Sequence, residues 1–157
     1  MSIRVKDYAQ PKFSPDNYLM DEALRNAVEI AIALEQPLLL TGEPGTGKTR
    51  LAYKIAHDLA KAEGDYDFLP EPLIFHTKTS SSARDLFYTY DALGHFQSAN
   101  VKWEAGAKHP STADFIELQA FGKAIAYTNP KGVEKDRFRT EIPKNPKSAV
   151  VLVDEID

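Results

Sequence analysis

The chain has 157 residues, 43% of them apolar, which suffices for the core of one domain. Its formal charge of −4 gives no general pull toward nucleic acid or an anionic membrane, and the absence of cysteine excludes disulfides and thiolate chemistry. No apolar run reaches membrane-spanning length, and Met1-Ser2-Ile3-Arg4-Val5-Lys6 is not followed by a signal-peptide core, so a cytoplasmic protein is expected.

Residues 1–13 read as irregular and carry Tyr8 and Pro11. Ser14-Pro15 reads as a helix start, and the apolar stripe Leu24, Ala27, Val28, Ala31 and Leu34 predicts a helix to about Glu35. Pro37 blocks its extension. The run Pro37-Leu38-Leu39-Leu40-Thr41 then reads as a buried strand.

The next residues, Gly42-Glu43-Pro44-Gly45-Thr46-Gly47-Lys48-Thr49, fit the pattern G-x-x-x-x-G-K-[ST] at every fixed position. Glycines let successive backbone N–H groups curl around a phosphate, and a helix starting near Gly47 points its positive end at the same charge. Lys48 is expected to reach the outer phosphates, and Thr49 to offer its hydroxyl to a Mg2+ ion. The candidate nucleotide-binding set is Gly42 to Thr49 with Arg50. Leu51, Ile55 and Leu59 follow at helical spacing, predicting a helix from Lys48 to about Glu63 that Gly64 terminates.

A loop through Pro70 leads to a second strand, Pro72 to Thr77. Residues 78–148 then exceed what one helical crossover requires. Ser82-Ala83-Arg84-Asp85 has capping spacing for a short helix, and Phe87 to Asp91 and the segment around Phe96, separated by Leu93-Gly94, read as a hairpin. Ser111 to Asp114 repeats the capping pattern ahead of a helix through Phe115, Ile116, Leu118 and Phe121, reaching Tyr127 despite Gly122. Asn129 to Lys147 is a proline-bearing loop of mixed charge, in which Lys131, Lys135, Arg137, Arg139, Lys144 and Lys147 alternate with Glu134, Asp136 and Glu141. The four histidines, His57, His76, His95 and His109, show no metal-ligand spacing.

Val150-Val151-Leu152-Val153 is the apolar, β-branched run of a parallel strand buried on both faces, and it ends in Asp154-Glu155. Ligands of open α/β sheets sit at the carboxyl ends of such strands. Asp154 is placed to hold Mg2+, and Glu155 to orient and deprotonate an attacking water. The metal set is therefore Thr49 and Asp154, and the catalytic set Glu155 and Lys48.

Together, GEPGTGKT and VVLVDEID resemble the AAA+ ATPases among the P-loop NTPases, and the long second crossover resembles the MoxR-like and dynein-related branch, where a hairpin interrupts that helix. The resemblance implies a three-layer α/β P-loop fold with a parallel sheet ordered 5-1-4-3-2, incomplete here because the chain ends after the Walker B strand. On that layout residues 1–157 are one partial core domain: 1–13 irregular, 14–77 from first helix to second strand, 78–148 crossover with insertion, and 149–157 the last strand. The resemblance further implies ATP and ADP as ligands, Mg2+ as cofactor, a homo-oligomeric ring and a protein client remodelled at the cost of ATP. The strand between the phosphate-loop strand and the DEID strand is missing, as are the sensor, arginine finger and lid, which reads as a truncated polypeptide that binds nucleotide better than it turns it over. The alternatives are a nucleotide-gated scaffold without hydrolysis and a nucleic-acid-translocating motor, the latter opposed by the net acidic charge. A GTPase is opposed by the lack of an Asn-Lys-x-Asp segment.

Overall fold

A computed structural model describes residues 13–100, 109–134 and 137–155. Among the described residues four α-helices and four strands follow in order: α1 (Glu22–Ala33), α2 (Lys48–Lys61), β1 (Leu73–His76), β2 (Tyr88–Tyr90), α3 (Ala92–Asn100), β3 (Ile116–Leu118), α4 (Ala120–Thr128) and β4 (Val151–Asp154). Tyr8, Lys135 and Asp136 lie outside the described residues.

The central pairing is parallel. β1 and β4 align Leu73 with Val151 through His76 with Asp154, and the bridge from Phe68 to Ser148 continues the ladder toward the amino ends. Both strands are apolar and lie far apart in the chain, as a crossover-connected parallel pair requires. α2 packs against β4, and α4 against both β1 and β4. Leu51, Ala52 and Ala56 of α2 are buried, as is Phe75 of β1. A second cluster, Leu118, Ala126 and Ile142, is flanked by Tyr127, Val133 and Phe138 and closes the 129–147 loop over α4. The described residues thus form a mixed α/β structure whose parallel sheet has two strands.

Four expectations from the sequence need correction. The first helix begins at Glu22, not Ser14, because the Asp21 carboxylate accepts from the Leu24 N–H at 2.7 Å and sets the start there. Pro15–Asn17 forms only a separate 3-10 turn.

The expected strand over residues 37–41 does not form. Leu38 and Leu39 are 38% and 74% exposed, and among the described residues no strand pairs with this segment. An apolar run becomes a strand only when a neighbour supplies its hydrogen bonds. The same shortage explains β4, whose four residues are half-buried and not enclosed on both faces.

The hairpin expected around Leu93-Gly94 is instead the start of α3. The Asp91 carboxylate accepts from the Gly94 N–H at 2.8 Å and closes over it, and a Cβ on Gly94 would lie 2.3 Å from that carboxylate. β2 therefore pairs antiparallel with β3, Tyr88 opposite Leu118 and Tyr90 opposite Ile116.

The helix expected from Ser111 to Tyr127 is divided into a 3-10 turn (Thr112–Phe115), β3 and α4. β3 is claimed from two sides, because besides β2 the Thr140 hydroxyl accepts from the Leu118 N–H at 2.8 Å and Arg139 N–H donates to Ile116 O at 2.8 Å. Gly122 lets α4 approach the chain just before β2, since any Cβ there would sit 2.0 Å from the Phe87 carbonyl oxygen.

Candidate functional site

The phosphate-loop segment holds its shape through local contacts. Gly45 and Gly47 have φ of +81° and +88°, a left-handed region that costs a residue with a Cβ about 1–2 kcal/mol. Gly47 is the cap residue of α2, and a Cβ on it would meet the Tyr18 ring at 3.3 Å. The Thr46 hydroxyl donates to Glu43 O at 2.9 Å. Lys48 Nζ donates to Gly42 O and Glu43 O, each at 2.8 Å, so its charge is held against the inner curve of the loop. The first bond of α2 runs from Leu51 N–H to Gly47 O at 3.1 Å, which leaves the N–H groups of Lys48, Thr49 and Arg50 without an intrahelical acceptor. Those donors and the helix dipole favour an anion at this end.

The second motif meets the first. Thr49 Oγ1 donates to Asp154 Oδ2 at 3.1 Å, across 105 positions of sequence. Asp154 Oδ1 accepts from the Glu155 N–H at 3.2 Å. Glu155 has φ of +61°, a left-handed backbone uncommon for a residue with a side chain. Thr49 and Asp154 are half-buried, and Glu155 is exposed.

Two cavities flank this junction. One, of about 580 Å3, is lined by Leu38 to Gly42, Pro44, Gly45, Lys48, Thr49 and Leu152 to Glu155. The other, of about 770 Å3, is lined by Phe13, Ser14, Asn17, Tyr18, Leu19 and Gly45 to Arg50. Both fall within the size range of small-molecule sites. Gly45, Lys48 and Thr49 line both, so the loop separates the two spaces and faces each. Arg50 lies over the Phe13 ring at 5.0 Å, and Phe13 meets Tyr53 edge-on at 6.3 Å. The 3-10 turn under the larger cavity is tied to α2 by Lys61 Nζ, which lies 3.2 Å from Asp16 Oδ1 and holds that carboxyl below its ordinary value.

Of the residues singled out in the sequence, Gly42, Pro44, Gly45, Lys48, Thr49, Asp154 and Glu155 line the smaller cavity, and Thr46, Gly47 and Arg50 the larger. Glu43 contributes its backbone carbonyl to Lys48. Phe13, Asn17 and Tyr18 were not singled out as site residues: the family layout pointed only to Tyr8 and the start of the first helix for the base, and no motif marks these three individually. Among the described residues no group of three or more His, Asp or Glu side chains is placed to hold a metal by itself, and no helix is long and apolar enough to cross a membrane. The aromatics of the insertion are surface groups: Phe87 leans on Phe121 at 5.9 Å, and Phe96 is 70% exposed. In the basic loop, Arg137 pairs with Glu134 and Lys147 with Asp67.

A glycine-cradled lysine, a helix N-terminus and a strand-end acid at hydrogen-bond distance are the parts of a P-loop NTPase. The family described as Novel STAND NTPase 3 matches residues 18–124, more than half of the chain, and the chain belongs to it. This family identifies a P-loop NTPase without placing it in the MoxR-like AAA+ branch. No curated protein and no solved structure matches the chain.

Proposed function

We propose that the chain binds ATP at the junction of Gly42–Arg50 with Asp154-Glu155 and, in the complete protein, hydrolyses it. The observation that carries this reading is the 3.1 Å contact between Thr49 Oγ1 and Asp154 Oδ2, which joins two motifs distant in sequence into one polar centre. That donor set, a hydroxyl and a carboxylate with room beside them, suits a Mg2+ ion whose remaining ligands are phosphate oxygens and water. When bound, the ion would offset phosphate charge. Lys48 would exchange its contacts with Gly42 O and Glu43 O for phosphate oxygens, at little reorganisation because its ammonium already lies inside the loop. The N–H groups at the start of α2 would cradle the same phosphates. Glu155, lining the smaller cavity, would orient a water for in-line attack and accept its proton. The nucleoside would lie in the larger cavity, against Phe13 and Tyr18 with the Asn17 amide available to the base.

The ring assembly and protein client implied by the AAA+ resemblance rest on GEPGTGKT and DEID, and sedimentation with ATP tests the ring. Glu155→Gln should retain ATP affinity within about twofold and lose at least tenfold in single-turnover hydrolysis, the contribution expected of a positioned base. Unchanged turnover in that variant would remove Glu155 from the chemistry. Tight binding with no phosphate release from the unaltered chain would favour the non-hydrolytic scaffold.

A further inference from the structure

Asp154 and Glu155 line one cavity together with Leu152 and Val153. The chain turns where β4 ends, Glu155 taking a left-handed backbone with φ of +61°. Three groups hold that turn. The Asp154 carboxylate accepts from the Glu155 N–H at 3.2 Å. Thr77, immediately after β1, donates its backbone N–H to Asp154 O at 3.1 Å. Its hydroxyl reaches both the Asp154 carbonyl oxygen and, at 2.9 Å, the Glu155 carbonyl oxygen.

We propose that Thr77 is a positioning residue, whose hydroxyl latches the main chain after β4 so that the Glu155 carboxylate enters the cavity beside Lys48 and Thr49. Its place follows from register. His76 pairs with Asp154, so Thr77 follows directly on β1: its N–H makes the last ladder bond, to Asp154 O, and its hydroxyl reaches the Glu155 carbonyl oxygen just past the end of the ladder. Thr77 is half-buried, which shields these bonds from competing water. Released from the latch, Glu155 would relax toward the extended backbone that side-chain-bearing residues prefer, and its carboxylate would swing away from the shared cavity. Thr77 thereby ties the edge of the phosphate site to the end of β1, the strand that pairs with β4.

This inference rests on the reading of Glu155 as the water-orienting base, and two readouts separate their failures. In the full chain, the Glu155 backbone angle is read from its HN–Hα coupling and residual dipolar couplings, and single-turnover ATP hydrolysis is measured beside it. Thr77→Val and Thr77→Ala should both move the Glu155 angle to negative values and lower the hydrolysis rate at least tenfold, with ATP affinity within about twofold of the unaltered chain. Thr77→Ser, which keeps the hydroxyl, should restore the angle and most of the rate. A left-handed Glu155 persisting in Thr77→Val or Thr77→Ala overturns the latch, whatever the rate. If the angle responds as stated while Glu155→Gln hydrolyses normally, the latch stands and the base assignment falls.

Discussion

Residues 37–41 and residues 150–154 are both largely apolar runs that lead into a functional motif, yet only the second carries a strand. β4 has β1 beside it and α2 and α4 packed on it, so its backbone is bonded along the β1 edge and its motif is fixed by long-range contacts. The segment before the phosphate loop has no strand partner among the described residues, and the loop is fixed instead by its own bonds: Lys48 to the Gly42 and Glu43 carbonyls, Thr46 to the second of these, and glycines at positive φ. The two halves of one site are therefore held by different physics. Tertiary pairing fixes the acid half, and local chain geometry fixes the phosphate half.

The comparison is strained most by removing the groups that serve the phosphate loop. Lys48→Ala deletes both the loop's internal donor and the proposed phosphate contact, and should lower ATP affinity on the order of 100-fold or more, measured by calorimetry. Leu51, 2% exposed on α2, anchors the helix beneath the loop. Leu51→Ala should cost about 2–5 kcal/mol in chemical denaturation, while Leu39→Ala, at a side chain 74% exposed, should stay within about 0.5 kcal/mol. Equal losses at the two leucines would mean that the 37–41 segment is packed after all.

Gly47→Ala imposes a Cβ on a φ of +88° and brings it to 3.3 Å from Tyr18, so a destabilisation of about 1–3 kcal/mol is expected. Adding Tyr18→Ala should relieve only the steric share of that loss, leaving the backbone share behind. The smallest effect concerns the turn beneath the larger cavity. Lys61 lowers the Asp16 pKa below its ordinary 3.8, so the pair stabilises the fold above that value, and its contribution disappears as pH falls through the depressed pKa. An acid-unfolding midpoint slightly higher in Lys61→Met than in the unaltered chain would register it, and high salt should erase the difference because the pair is exposed.

The legible parts of the fold were those encoded locally or by strong pattern. The phosphate motif, the span of α2, β1 and β4 could be read because glycine chemistry, helical spacing and β-branched runs each have a short-range signature. The 37–41 segment was misread because an apolar run records what a strand needs and not whether a partner is present. The insertion was misread because Asp91 directs local capping that period counting does not weigh, opening a helix where a turn was expected, and because β3 was drawn out of a helical pattern by Tyr88–Tyr90 and Thr140; the capping at Ser111–Asp114 was read, but it starts only a 3-10 turn. In the site, Lys48, Thr49 and Asp154 announced themselves through spacing. Tyr18 and Thr77 did not, because their roles come from contacts across the fold: a ring against Gly47 and a hydroxyl against two carbonyls.

The most direct test of a shared centre is a double-mutant cycle on the Mg2+ dependence of ATP affinity. Thr49→Val and Asp154→Ala should each abolish the gain in affinity that Mg2+ confers, and the double variant should be no weaker than the weaker single one, as for two groups serving one ion. Independent, multiplying losses would place the threonine and the aspartate in separate sites and contradict the account.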